Sequence, residues 1–188
     1  MDGIELLTTR VSNGKLTEPA PDADTLRLAF EAAAHAPDHA GLRPCRVRVI
    51  RGAARERLGQ LMADVVLREN PHATAQQLDQ TKAKALRAPL ILVVAAVLMP
   101  HPKVPEIEQT LAAGAAAHAI LLTLHARGFA AIWRTGAAAY DAALKKALGF
   151  AAADAIVGFI YAGTPKQPAP VFPRAAPEDF VQEWTGDV

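Results

Sequence analysis

The strongest constraint on the fold is a stretch between Glu108 and Arg127 that contains no Asp, Glu, Lys or Arg. Alanine and leucine dominate this stretch, and both are strong helix formers. A bilayer span usually requires about 20 strongly apolar residues, whereas Gln109, Thr110 and two histidines interrupt this one. We therefore expect a long helix that is buried in the protein, partly at a subunit interface, and no membrane span.

Strand patterns stand on both sides of this helix. Residues 90–97 form a continuous apolar run, which is typical of a strand buried on both faces. Residues 46–50 alternate polar and apolar side chains, as a half-exposed strand does. Two more strands are predicted at 129–133 and 155–162. The chain is expected to be an α+β protein, with a polar loop at 10–22 and helices at 2–9, from Asp22 or Asp24 to the residue before Ala36, and at 53–69, 73–87 and 138–148.

The whole chain, residues 1–188, is predicted to be one domain, with residues 163–188 as an extended C-terminal arm. Five prolines follow Gly163, so this arm cannot form regular helices or strands along most of its length. Three large rings stand along it: Phe172, Phe180 and Trp184. We expect the arm to wrap over another surface, in a homodimer whose tails are exchanged.

Composition and missing motifs exclude several classes of function. The chain carries 20 Lys and Arg against 19 Asp and Glu, so no basic face for nucleic acid is expected. Its one cysteine, Cys45, excludes an internal disulfide and favours the reducing cytoplasm. Dinucleotide and P-loop fingerprints and the His-Glu-x-x-His motif are absent. Pro37 separates His35 from His39, so no metal site is expected there. A bound cofactor, and no catalytic side chain, should supply the reactivity.

Two short segments indicate the kind of cofactor. Residues 129–132 have strand character and lead into the run Trp-Arg-Thr-Gly at 133–136. Such a strand exit places a ring, a cation and hydrogen-bond donors where α/β proteins bind ligands. Arg10 and Ser12 follow the first apolar run, and these residue types bind phosphate oxygens. Together the two segments favour a planar, phosphorylated cofactor.

Simpler roles are also open for these residues. Arg10 could complement the C-terminal dipole of the first helix, worth about 0.3–1 kcal/mol. Trp133 could be a core ring, and His39 could be a turn residue bonded to its own backbone. The histidines of the apolar helix, His118 among them, are expected to be interface residues rather than ligands. Gly114 costs that helix about 1 kcal/mol relative to Ala, which close approach of a partner helix would explain.

An ordered set of short motifs covers nearly the whole chain. The motifs are Leu6-Leu7-Thr8-Thr9-Arg10-Val11-Ser12, Ala36-Pro37-Asp38-His39 with Pro44, Arg87-Ala88-Pro89-Leu90-Ile91, Lys103-Val104-Pro105, Ile132-Trp133-Arg134-Thr135-Gly136, and the segment 157–165. In this order and spacing they resemble the flavin-dependent nitroreductases, and most closely the small YdjA-type branch of that family. Each motif alone is weak, whereas the ordered set is fairly specific.

The resemblance implies a fold, a cofactor and the residues that bind it. The fold would be nitroreductase-like, with a central, mostly antiparallel sheet flanked by helices and a long helix at the core of a homodimer. FMN would lie between the two subunits, and NADH or NADPH would be the reductant. The FMN-binding residues would be Arg10, Val11, Ser12, His35, His39, Trp133, Arg134 and Thr135. The NAD(P)-binding residues would be Thr123, Leu124, His125, Ala126, Arg127 and Gly128.

The implied activity is hydride transfer from the nicotinamide cofactor through flavin N5 to nitroaromatic or quinone-like acceptors, with ping-pong kinetics. Lys15 or Arg134 would stabilise the anionic reduced flavin. The chain departs from the pattern of the family where Val11 replaces an arginine, Arg43 a glutamine and Cys45 a bulky ring. A second possibility is therefore a flavin-binding dimer that acts as a sensor or carrier without efficient turnover.

Overall fold

A computed structural model describes residues 2–169 and 171–186 of the chain. The described residues form five strands and six α-helices. Their order is α1 (Gly3–Thr9), β1 (Leu16–Thr17), α2 (Ala23–Ala34), β2 (Cys45–Arg51), α3 (Ala54–Glu69), α4 (Ala75–Lys84), β3 (Leu90–Ala96), α5 (Glu106–Ala126), β4 (Ala130–Arg134), α6 (Ala142–Ala147) and β5 (Ala155–Pro165). Single 3₁₀ turns cover His39–Gly41, Ala137–Ala139 and Pro177–Asp179.

The sheet is built around β3 and β5, which lie side by side from the pair Leu90–Ala162 to the pair Ala96–Ala155. β2 continues the sheet beyond β3, β4 pairs with β5, and β1 pairs with the last two residues of β5. All of these pairings, within the described ranges, are antiparallel. The prediction of an α+β fold with a central, mostly antiparallel sheet is confirmed.

Helices cover both faces of the sheet. α2 and α5 pack on the face that carries Leu92 and Val94, and α3 and α6 lie on the face that carries Ile91 and Val93. Because alternate residues of β3 enter opposite cores, all seven residues of this strand are buried. This arrangement explains the continuous apolar run in the sequence.

α5 is the long helix that the uncharged stretch predicted. Its inner face is part of the core, where Ile120 and Leu124 are fully buried, while Ile107 and Leu111 on its outer face are 62% and 64% exposed. By length and composition alone α5 could cross a membrane, but the core helix of a soluble protein meets the same criterion. Its packing against α2 and four strands is that of a core helix. The described part of the chain leaves its apolar outer face open.

Two boundaries differ from the prediction near the end of β5. The segment 10–22, predicted as a loop, contains the short strand β1, because Leu16 and Thr17 pair with Pro165 and Thr164. The same pairing extends β5 three residues beyond its predicted end, so the arm predicted at 163–188 begins as part of the sheet. The remainder of the described arm, residues 166–169 and 171–186, is irregular apart from one 3₁₀ turn, and residues 171–186 are exposed to solvent.

Three helix boundaries also differ or are now decided. Asp22 rather than Asp24 caps α2, since its carboxylate accepts the N–H of Thr25 at 2.8 Å. α4 ends at Lys84, three residues before the predicted end, because the chain continues in turns towards β3. The helix predicted at 138–148 is a 3₁₀ turn followed by α6, because Asp141 caps a new helix there.

Candidate functional site

Three cavities adjoin one another along β4. Their volumes are about 640, 810 and 560 Å³. The first and second share Asn13 and Lys166 in their walls, and the second and third share Arg87 and Arg134. They therefore form one continuous surface, here named the cationic groove. Its cationic lining residues are Arg10, Lys15, Lys84, Arg87, Arg134 and Lys166.

The cationic groove contains no balancing acid, since none of its described lining residues is Asp or Glu. Burial, and then the nearby charge of Arg174, lower the pKa of Arg10. Arg174 comes from the C-terminal arm, and its Nη2 donates to the backbone carbonyl of Arg10 at 3.3 Å. Clustering cations without carboxylates is costly unless an anion joins them. The charge pattern thus fits an anionic ligand such as a phosphate.

The backbone around Ser12 is fixed by Asn13, which is 3% exposed. The N–H of Asn13 donates to the carbonyl of Ala131 in β4 at 3.0 Å, and its side-chain amide donates to the carbonyl of Gln167 at 3.0 Å. Its side-chain oxygen accepts the N–H of Lys15 at 2.9 Å. One buried side chain therefore joins the loop, β4 and the arm. The sequence prediction missed Asn13, although the Asn-Gly pair after Ser12 signals a turn.

Trp133 is a structural ring in this chain. Its indole Nε1 donates to the carbonyl of Val157 at 3.1 Å. The ring lies so close to Gly158 that a Cβ there would be 2.1 Å from Nε1. The indole N–H thus holds β4 to β5, and the same side chain also lines the 560 Å³ cavity beside Arg134 and Thr135.

Arg134 and Thr135 reach the groove as predicted for the exit of β4. Arg134 lines both the 810 and the 560 Å³ cavities, and its guanidinium lies over the backbone of Gly14, where a Cβ would be 3.3 Å from Nη2. Thr135 lines the 560 Å³ cavity together with Tyr161, whose pKa burial raises, so its phenol stays protonated at neutral pH. The strand exit therefore brings a cation and hydroxyl groups to one wall.

The segment 123–128, predicted to bind a nicotinamide dinucleotide, divides into two parts. Leu124 is fully buried and Thr123 donates its hydroxyl to the carbonyl of Ala119, so neither side chain is offered to a ligand. His125 and Gly128 line the 640 Å³ cavity with Arg10 and Val11, and Ala126 and Arg127 are exposed at the surface. His125 Nε2 lies 3.0 Å from the hydroxyl of Thr9, so it joins α1 to α5.

His35 and His39 lie away from the groove. His39 Nδ1 is 2.6 Å from a carboxylate oxygen of Glu108 in the first turn of α5, so the alternative of a turn residue bonded to its own backbone is wrong. His125, near the other end of α5, is about 25 Å away along the helix axis at 1.5 Å per residue. One chain therefore does not bring its two predicted sets of FMN residues together. Nor do the described residues include a cluster of three His, Cys, Asp or Glu for a metal.

Comparison with known proteins places this geometry in a family. Residues 7–164 match the model of the nitroreductase family. The chain belongs to the nitroreductase family. It is 37% identical over 166 residues to the Escherichia coli K12 protein named "Putative NAD(P)H nitroreductase YdjA", and the match covers 88% of this chain and 90% of that protein. The resemblance drawn from the ordered motifs is confirmed.

Two solved structures confirm the nitroreductase fold. The nitroreductase-like family protein of Bacillus cereus superposes with a TM-score of 0.87 at 20% identity, covering 99% of this chain and 97% of that one. A nitroreductase of Desulfovibrio desulfuricans in complex with FMN superposes with a TM-score of 0.71 at 25% identity, covering 97% and 98%. The antiparallel sheet flanked by helices is thus the architecture of this family.

Proposed function

We propose that this protein is an FMN-dependent NAD(P)H oxidoreductase that reduces nitroaromatic or quinone-like acceptors. The observation that carries the proposal is the cationic groove, which gathers six cations and no acid beside the exit of β4. The name of the E. coli relative includes NAD(P)H, and the D. desulfuricans structure contains FMN. The donor set of the groove fits a phosphorylated cofactor of that kind.

The phosphate end of FMN is assigned to the loop after α1. Arg10 is part-buried, so its charge is weakly screened, and Arg174 and Lys166 stand beside it. Ser12 adds a hydroxyl at the wall of the adjoining cavity. Val11, where the family pattern has an arginine, removes one charge, and the arm residues Lys166 and Arg174 supply cations there instead.

The ring of FMN is assigned to the wall made by Arg134, Thr135 and Lys15. When bound, FMN supplies the hydride chemistry, taking hydride from a nicotinamide cofactor and giving electrons to the acceptor. Lys15 and Arg134 line one cavity, so both keep positive charge where electron density rises on reduction. Trp133 fixes the direction of this wall through its bond to Val157. The protein's part is to bind and orient, and no side chain acts as a nucleophile.

A homodimer completes the site in this proposal. His35 and His39 lie at one end of α5 and Arg10 at the other, so these sets can meet only across two copies. The outer face of α5 exposes Ile107 and Leu111, and such an apolar face favours a partner. A Cβ on Gly114 would meet open space in one chain, which leaves room for a second helix. The exposed rings Phe180 and Trp184 are assigned to the partner's surface.

We propose that the protein is cytoplasmic, and the test uses the purified protein with its cysteine kept reduced. We expect a yellow protein that retains FMN through gel filtration and is bleached by NADPH or NADH under anaerobic conditions. Addition of a nitroaromatic or a quinone should then restore the colour. A colourless protein that takes up no added FMN contradicts the proposal. Retained FMN that neither nicotinamide cofactor reduces would favour the sensor or carrier instead.

A further inference from the structure

A fourth cavity lies beside the loop that carries His39, and its lining shares no residue with the cationic groove. Its volume is about 440 Å³, within the range of about 300–1,000 Å³ that is typical of small-molecule sites. Its walls come from α2, the loop 36–44, β2 and the inner side of α5. We name it the apolar cavity; its lining includes Phe30, Cys45, Val47, Ala112 and Ala116.

The apolar cavity is open because small side chains line it. Alanines of α2 and α5 form two walls, and Cys45 occupies the start of β2, where the family pattern has a bulky ring. Burial raises the pKa of the Cys45 thiol, so at neutral pH it is an uncharged, apolar wall. Phe30 of α2 also lines this cavity. The cavity therefore suits a flat, apolar group such as an aromatic ring.

Arg43 stands at the mouth of the apolar cavity on a strained backbone. Its φ angle is +52°, and Ala40 before it has φ +61°, a region that costs a non-glycine residue of order 1–3 kcal/mol. The carboxylate of Asp38 holds this conformation by accepting the N–H of Arg43 at 2.6 Å. Strain of this kind persists where the surrounding structure fixes it, and it often marks a binding site.

The guanidinium of Arg43 forms no hydrogen bond or ion pair with another described residue, although it lines the cavity. Asp38 is the one acid among the described lining residues, and its carboxylate accepts the backbone N–H of Arg43. Arg46 is not part of the lining, and its Nη1 donates to the carbonyls of Arg43 and Cys45 at 2.7 and 2.9 Å. Among the described lining residues, the cavity thus carries one cation, Arg43, and one acid, Asp38, whose carboxylate is already bonded to the backbone.

We propose that the apolar cavity binds aromatic acids, with the ring between Phe30 and Cys45 and the carboxylate on Arg43. The inference rests on the proposed function in one respect. Loop 36–44 also carries His39, which that function places at the flavin bound across the dimer. A nitroaromatic acid held here is then an electron acceptor of the proposed oxidoreductase. The substrate class is accordingly planar and anionic rather than neutral.

The experiment measures binding of benzoate and of neutral benzamide to the oxidised, FMN-loaded protein by calorimetry. Because a charge-assisted bond to Arg is worth about 1.5–3 kcal/mol, we expect benzoate to bind at least about tenfold more tightly than benzamide. Arg43→Gln should remove this preference. Arg51→Gln, at the far end of β2, changes net charge equally and should retain it. A preference that survives Arg43→Gln places benzoate elsewhere and overturns the inference, as does equal or undetectable binding in the wild type.

A second variant and a turnover assay separate this inference from the proposed function. Cys45→Leu, which fills the cavity, should weaken both ligands at least about fivefold while circular dichroism stays unchanged; unchanged affinities would overturn the inference. The ratio of the KM for 4-nitrobenzoate to that for nitrobenzene should rise about tenfold in Arg43→Gln. If NADPH bleaches the bound FMN but benzoate does not bind, only the proposal that the apolar cavity binds aromatic acids is refuted. If benzoate binds but NADPH does not bleach the FMN, only the proposed oxidoreductase function is refuted.

Discussion

The surfaces near the two ends of α5 differ in charge, and this difference indicates which kind of ligand each surface can bind. Near Ala126 the cationic groove gathers arginines and lysines with no acid among its described lining residues. Near Glu106 the apolar cavity has one cation, Arg43, and one acid, Asp38, among its described lining residues, and His39 contacts Glu108 beside it. An excess of one sign needs a ligand of the opposite sign, whereas an apolar cavity needs only a ligand of matching shape.

Under the proposed function, each end alone is an incomplete redox site. The groove can hold an anionic cofactor, but it lacks the histidines that the family resemblance assigns to FMN. The other end has those histidines and the apolar cavity, but few free cations. Because the two ends lie about 25 Å apart on one helix, a second copy is needed to bring opposite ends together. The comparison therefore predicts that dimer formation and cofactor binding are coupled.

The largest effect is expected from Leu111→Glu on the outer face of α5. This leucine is 64% exposed in one chain, and a carboxylate buried without a partner at an interface costs several kcal/mol. We expect a monomer at micromolar concentration by light scattering, with loss of bound FMN. Leu67→Glu, on an exposed position of α3 across the sheet, is the matched control and should stay dimeric. A monomeric Leu111→Glu protein that still retains FMN would contradict the proposed coupling, and a dimeric one would contradict the placement of this face at the interface.

The next effect is expected from Arg10→Ala within the cationic groove. Because charged hydrogen bonds contribute about 1.5–3 kcal/mol, the Kd for FMN should rise about 10- to 100-fold. Lys15→Ala should have a smaller effect, since Lys15 is exposed whereas Arg10 is part-buried. Titration of the apoprotein with FMN, followed by quenching of flavin fluorescence, measures both. Equal losses in the two variants would refute the assignment of the phosphate end to Arg10.

The fold was largely predictable because its signals are local and strong. The continuous run of β3 predicted a doubly buried strand, and the uncharged stretch predicted α5. What failed was β1, since two residues, Leu16 and Thr17, become a strand only by pairing with β5 almost 150 residues later. No local pattern marks such a contact. The missed boundaries at β1 and at the end of β5 were accordingly set by tertiary pairing.

The sequence indicated several residues of the candidate site, but not all of the residues that lie beside them in the folded chain. Arg10, Ser12 and Arg134 do line one groove. Lys166 and Arg174 were missed, because they lie in a proline-rich arm whose path no periodicity indicates. Trp133 lines the 560 Å³ cavity as expected, but its packing against Gly158 on β5 was not foreseen. That contact depends on the register of β4 and β5, which only the assembled sheet fixes.

A middle-sized effect is expected from Gly158→Ala, which tests whether Trp133 serves the fold. A methyl group there would overlap the indole ring, and overpacking of this kind costs about 1–3 kcal/mol. Urea denaturation should show that loss of stability, and the FMN affinity of the folded protein should fall as β4 shifts. Gly3→Ala, whose added methyl meets open space, is the control and should be nearly neutral. Unchanged stability in Gly158→Ala would contradict a packing role for Trp133 and leave it the role of a ligand-facing ring.

The smallest effect concerns the Cys45 thiol. It tests whether the wall of the apolar cavity is uncharged, as the comparison of the two ends of α5 requires. Burial raises the thiol pKa, while the charge of Arg46 acts in the opposite direction. Only the thiolate reacts with iodoacetamide, so alkylation should be slow at pH 7 and still be increasing with pH at pH 9. Benzoate should slow it further, and benzamide less so. A rate that levels off below pH 9 would show that the charge of Arg46, rather than burial, dominates the pKa of the thiol, and the two ends of α5 would then differ less than their linings suggest.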